Sequence, residues 1–201
     1  MTRKTGMLFD LDGVLVDSEG EYSKFWGSMG DRYGLGHDFN QRIKGTTLFE
    51  ILTHFPEADR DGIAKELAQF ESNMEYRVYP GVKEYLQRLH DEGIPTAIVT
   101  SSDDVKMSML FQKRPELRHA ATKLVTANMV TKSKPDPECF LLGAELIGVP
   151  IEDCTVFEDS VNGLRAGRAS GAKVIGLMTT NPPEVVEPLC DRAIHSFEEL
   201  L

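Results

Sequence analysis

The chain has 201 residues, 41% of them hydrophobic and 27% charged, a balance that excludes a disordered or fibrous class and suits one good core with a smaller second unit. Its 22 basic and 32 acidic residues leave a net charge of −10, which argues against nucleic acid as a partner, because a phosphate backbone demands a basic footprint. A small phosphorylated ligand is not excluded, since one metal and one or two placed lysines reverse the field locally.

The N-terminal run MTRKTGMLFD is too short in apolar residues to be a signal peptide, and no stretch reaches membrane length. Cys139, Cys154 and Cys190 are widely spaced with no CxxC pair, so they read as core thiols, and a cytoplasmic location without membrane attachment is expected. A short apolar run at Met7 to Phe9 reads as a buried strand, and it ends on two acids, Asp10 and Asp12. Two carboxylates half removed from water at a strand end cost several kcal/mol unless a cation, a proton or a strong donor offsets them, on the order of the penalty for burying any unpaired charge. A divalent metal is the expected offset.

From about Ser18 to Tyr79 the pattern is helical with no convincing strand. Tyr22, Phe25, Trp26, Met29 and Tyr33 form one apolar stripe, and Ile63, Leu67, Phe70 and Met74 form a second, so at least two helices can pack on each other as ordinary helix core. Residues 18–79 therefore read as an inserted helical domain, with 1–17 and 80–201 forming the main domain. Pro80 and Gly81 mark the return, and the two crossing segments form a hinge.

After the insert, apolar runs at Thr96 to Thr100, Thr155 to Phe157 and Lys173 to Leu177, with a weaker one at Leu124 to Thr126, alternate with helical patterns. Two of those helices are marked by Val82, Tyr85, Leu86 and Leu89, and by Phe140, Ala144 and Ile147. The alternation predicts an α/β fold, a doubly wound parallel Rossmann-like sheet, whose ligands bind outside the carboxyl ends of the strands. Four polar sites fall at or after such ends: Asp10 with Asp12, Thr100 with Ser101, Lys134, and Glu158 with Asp159. Singly each has an ordinary explanation: a turn residue for Thr100, a solvated loop charge for Lys134, a helix N-cap at Asp159 and Ser160. Gln112 to Ala121 reads as a loop with four basic residues, His119 among them. His37, His54, His90, His119 and His195 show no metal-ligand spacing.

The ordered set FDLDGVLVDSE (Phe9 to Glu19), AIVTSS (Ala97 to Ser102), SKPDP (Ser133 to Pro137) and VFEDSVNGLRAG (Val156 to Gly167) resembles the haloacid dehalogenase-like hydrolases across the whole chain. The resemblance implies a Rossmann-like core with a four-helix cap over residues 18–79, and Mg²⁺ as cofactor. It implies Asp10 as the nucleophile that forms an aspartyl-phosphate, and Asp12 as the general acid and base. Mg²⁺ would be held by Asp10, the backbone carbonyl of Asp12 and Asp159, with Glu158 direct or through water. Lys134, Thr100 and the backbone N–H of Ser101 would clamp the phosphoryl oxygens. An acid at position 12 disfavours true dehalogenases, whose halide leaves without a proton, and the β-phosphoglucomutase-like branch with its small-metabolite phosphatases fits best. In that mutase pattern a His stands where this chain has Tyr22, and an Arg follows the Lys-Gly pair by three residues, where Lys44 and Gly45 are followed here by Leu48. Loss of that Arg favours hydrolysis of small phosphorylated metabolites, sugar phosphates above all, over phosphomutation, although Arg42 or Arg77 offers charge from elsewhere in the cap. Glu19, Lys44 and Thr47 are candidates to contact the substrate's hydroxyls. A monomer is expected. A phospho-accepting receiver is the rival class, but receivers carry their acidic pair near the first strand, not last. A binding protein without turnover would have lost a catalytic position, and none is substituted.

Overall fold

A computed structural model describes residues 5–36 and 38–201, and builds the alternation into one six-stranded parallel sheet. The chain starts with β1 (Gly6–Phe9) and β2 (Val16–Asp17), then runs through α1 (Glu19–Tyr33), α2 (Phe39–Arg42), α3 (Leu48–Thr53) and α4 (Glu57–Asn73) to β3 (Arg77–Val78). It continues as α5 (Val82–Asp91), β4 (Thr96–Val99), α6 (Asp104–Lys113), α7 (Pro115–Ala120), β5 (Lys123–Val125) and α8 (Glu138–Ile147). It closes with β6 (Cys154–Glu158), α9 (Val161–Ser170), β7 (Lys173–Leu177), α10 (Pro183–Val186) and β8 (Arg192–Ile194). The sheet order is β5-β4-β1-β6-β7-β8, so β1 is central and the winding reverses beside it. That reversal opens a crevice at the carboxyl end of β1, where Asp10 follows Phe9.

Strand periodicity divides the core into two layers. Phe9, Ile98, Phe157 and Ile175 face one side with Val82, Tyr85, Leu86 and Leu89 of α5. Leu8, Ala97, Val99, Val156 and Val174 face the other with Phe140, Ala144 and Ile147 of α8. Phe9 stacks on Phe157 with ring centroids 4.6 Å apart, which fixes β1 against β6 at the level of the acids.

Between β2 and β3 the four helices bury a core of their own around Trp26, Met29, Phe39, Phe55, Ile63 and Leu67. The strand-free reading of this stretch is corrected at its end. Val16 pairs antiparallel with Val78 and Asp17 with Arg77, so the outgoing and returning segments form a two-residue ribbon. Pairs this short carry no alternation to read. Met74 is corrected too: it lies past the end of α4 and packs in the main core beside Val16 and Tyr76. The stretch at 112–121, expected as a loop, is mostly the end of α6 and the whole of α7, with Pro115 starting the latter. Strand β8 was not expected, because three residues at a sheet edge leave little periodic signal. Cys139 and Cys154 are buried as expected of core thiols, whereas Cys190 is half-buried. His37 lies outside the described residues, as does the side chain of His119. Among the described residues no helix is long and apolar enough to cross a membrane.

Candidate active site

Asp10 directly follows β1, where its N–H donates to the carbonyl of Phe157 at 3.0 Å and the residue is 7% exposed. Lys134 is not a solvated loop charge: it is buried, with Nζ 2.6 Å from Asp10 Oδ1 and 2.7 Å from Glu158 Oε1, above the Phe140 ring. Glu158 ends β6. Its Oε2 accepts from the N–H groups of Asp159 and Ser160, both at 2.9 Å, and from Ser160 Oγ at 3.1 Å. The N-cap of α9 is Ser160, whose Oγ accepts from the Gly163 N–H, and this leaves the neighbouring carboxylate of Asp159 uncommitted. Asp159 Oδ2 is buried without a hydrogen-bond partner.

Asp10, Glu158 and Asp159 each bring a carboxylate oxygen to within 4.8 Å of the others, with one ammonium, Lys134, between two of them. Burial raises the Asp10 carboxyl to about 8, against the pull of Lys134, and Glu158 adds to the rise. Burial likewise holds the Asp159 carboxyl well above the carboxylate range, reinforced by Glu158, Glu19 and Asp10. For Lys134, burial pulls downward but the charges of Asp10 and Glu158 outweigh it and raise the ammonium. Three carboxylates against one ammonium, one of them with a buried oxygen that has no hydrogen-bond partner, fit a hard divalent cation.

Gly13, at φ +83°, makes the turn that brings Asp12 round, and any Cβ there would strike the Asp159 carboxylate. Asp12 Oδ1 accepts from Ser18 Oγ, and Oδ2 from Ser102 Oγ at 3.2 Å and Lys106 Nζ at 2.5 Å. Thr100, buried at the end of β4, accepts from the Ser102 N–H through its Oγ1 at 3.1 Å. Ser101 Oγ donates to the carbonyl of Gly45 at 2.7 Å. A cavity of about 570 Å³ joins these groups to the helical insert, and Asp10, Asp12, Thr100, Ser101, Asp159, Glu19, Lys44 and Thr47 all line it. Lys134 and Glu158 stand behind that lining.

The insert meets the core along the turn from Lys44 to Thr47. Asn162 Nδ2 donates to the Lys44 carbonyl at 2.9 Å, and the Thr47 N–H donates to Ser133 Oγ at 3.4 Å. Lys44 pairs with Glu19 at 2.9 Å, and Thr47 is buried as the N-cap of α3, accepting from the Glu50 N–H. Leu48 lines the cavity, while Arg42 is taken up by Asp38 and the Leu35 carbonyl and Arg77 by Glu75 outside it. Tyr22 Oη donates to Glu71 Oε1 at 2.7 Å. Sequence reasoning missed Ser18, Ser102, Lys106 and Glu71. Lys106 had a signal: it stands four residues before Leu110, on the buried stripe of α6.

A family description of haloacid dehalogenase-like hydrolases matches residues 5–171. The chain is 34% identical to hexitol phosphatase A of Escherichia coli (strain K12) over 98% of its length and 94% of that protein. It is 31% identical to fructose-1-phosphate phosphatase YqaB of the same organism, over 86% of this chain and 96% of the relative. A hydrolase from Pseudomonas syringae superposes with a TM-score of 0.86 at 24% identity, over 98% of this chain and 96% of that one.

Proposed function

The chain belongs to the haloacid dehalogenase-like hydrolases, and from that membership and the cavity above we propose an Mg²⁺-dependent phosphohydrolase that cleaves phosphate monoesters of small metabolites, sugar phosphates foremost, through an aspartyl-phosphate. The observation that carries the reading is the convergence of three carboxylates on a single ammonium, with Asp10 and Asp159 in the cavity lining and Glu158 and Lys134 directly behind them. The phosphatases among the relatives support the same class.

Asp10 Oδ attacks phosphorus in line, the ester P–O bond breaks, and Asp12 gives the departing alkoxide its proton. Asp12 then takes a proton from water, whose oxygen attacks the acyl phosphate and returns Asp10 with release of inorganic phosphate. Lys134, Thr100 and the Ser101 N–H hold the equatorial oxygens, so positioning and charge neutralisation supply most of the acceleration. Asp10, the Asp12 carbonyl and Asp159 would hold Mg²⁺, which when bound neutralises charge on the nucleophile and the phosphoryl group. Glu158, with both oxygens engaged, holds Lys134 and the turn before α9. Helices α1 to α4 serve as a cap that excludes bulk water and large substrates. Leu48 in the lining and the outward engagement of Arg42 and Arg77 favour water over a second sugar as acceptor.

Phosphate release from sugar phosphates, glycerol phosphates, nucleotides and pyrophosphate, with and without Mg²⁺, tests this. The expected outcome is metal-dependent release from sugar phosphates and a loss of roughly a thousandfold or more in Asp10→Asn with the fold retained. Wild-type rates in that variant would sink the assignment. Isomerised sugar, appearing only with a hexose bisphosphate activator, would move it to a phosphomutase.

A further inference from the structure

One wall of the cavity carries charged groups that no step of the proposed reaction uses. Lys106, on the first turn of α6, is 5% exposed, with Nζ 2.5 Å from Asp12 Oδ2 and 4.5 Å from the centre of the Tyr22 ring. Tyr22, from α1, donates to Glu71 Oε1, and Glu71, from α4, is itself buried at 8% exposure. All three line the cavity. An ammonium, a phenol and a carboxylate from three helices therefore share one surface. Stability does not explain them, because well-packed apolar side chains in place of a buried ion pair are often neutral or stabilising.

The charges around the cavity are also lopsided. Among the described residues, seven carboxylates and two ammonium groups line it, and no arginine or histidine does. Both ammonium groups are already paired, Lys44 with Glu19 and Lys106 with Asp12. In the proposed reaction the phosphoryl group would be received beside Asp10, where Lys134 behind the lining and a bound cation would offset the acids. A second anionic group anywhere else in the cavity meets carboxylates and no free cation. Hydroxyls meet the opposite situation: each can donate to a carboxylate oxygen such as Glu71's and accept from an ammonium such as Lys106's.

We infer that Lys106 and Glu71 are specificity-determining residues, a donor and an acceptor that read the hydroxyls of the substrate body while the acidic lining turns away a second anion. The substrate is then a monophosphate ester of a neutral polyhydroxyl compound. This rests on the phosphohydrolase reading above. Lys106 and Glu71 keep donor and acceptor capacity beyond their bonds to Asp12 and Tyr22, and a body without hydroxyls leaves that capacity unused, which discriminates more strongly than a lost apolar contact.

The test is kcat/KM for three substrates, a hexose monophosphate, the same hexose bisphosphate and an aryl phosphate, on wild type, Glu71→Gln and Lys106→Met, all with Mg²⁺. The monophosphate should exceed the bisphosphate by roughly tenfold or more in wild type, and Glu71→Gln should narrow that gap. Lys106→Met should raise KM for the hexose monophosphate by roughly tenfold relative to KM for the aryl phosphate, whereas a lower ratio carried by kcat alone would assign Lys106 to holding Asp12 and overturn the inference. Each reading is a ratio between substrates on one preparation, so loss of folded protein cancels. Ratios that stay within about twofold of wild type in both variants overturn this inference alone, since tenfold effects are expected of lost charged hydrogen bonds. Wild type that releases phosphate from none of the three overturns the phosphohydrolase reading and this one with it.

Discussion

At the scale of residues, the site depends on how little room surrounds Glu158. Gly163, in the first turn of α9, faces its carboxylate so closely that a Cβ would overlap it, which is why the glycine stands in a helix where it lowers propensity. The same turn donates the Ser160 N–H to Glu158, so the carboxylate is gripped from both sides. Gly163→Ala should displace it, release its 2.7 Å partner Lys134 and lower stability by about 1–3 kcal/mol, the usual cost of overpacking. A fall in melting temperature together with lost phosphate release would be the observation; an unchanged melting curve would mean that the turn absorbs the methyl without moving Glu158.

At the scale of elements, α6 does two jobs from its two ends. Its first turn presents Lys106 to the cavity, and its last turn ties down the segment that returns from the helical insert. Lys113 Nζ donates to the carbonyls of Ser72 and Met74 at 2.6 and 2.7 Å, at the C-terminal end of α4 where helix carbonyls lack intrahelical donors. Arg114 continues the clamp on the carbonyls of Tyr76 and Glu75. Between them Tyr76 is held at φ +50°, an uncommon conformation for a residue with a Cβ, with its ring buried in the main core. The basic run at 112–121 thus serves in part to anchor the insert. Lys113→Met should cost about 1–3 kcal/mol, as for a lost hydrogen bond from a charged donor, and should speed hydrogen exchange at residues 72–78 ahead of the sheet. Uniform exchange across both regions would contradict this anchoring.

At the scale of the whole molecule, the central strand places the acids at the point where the sheet reverses its winding, and the insert closes over them. Three carboxylates and one lysine at that point leave the folded chain with charge to be neutralised, so Mg²⁺ should raise the melting temperature. At a hundredfold excess over Kd the gain is about 2.7 kcal/mol, read as a shift between Mg²⁺ and chelator in a melting experiment. A shift that persists undiminished in Asp159→Asn would place the ion elsewhere. The sequence by itself determined the sheet, the run of helices between β2 and β3 and the residues at the strand ends, because period-2 and period-3.6 burial and strand-end acids are local signals. It left out the two-residue ribbon between β2 and β3 and the edge strand β8, both too short to show a period. Tertiary structure alone decided which charges meet. Lys106 reaches Asp12 across 94 positions and Tyr22 reaches Glu71 across 49, and no spacing in a chain encodes a contact that exists only after separate elements have packed.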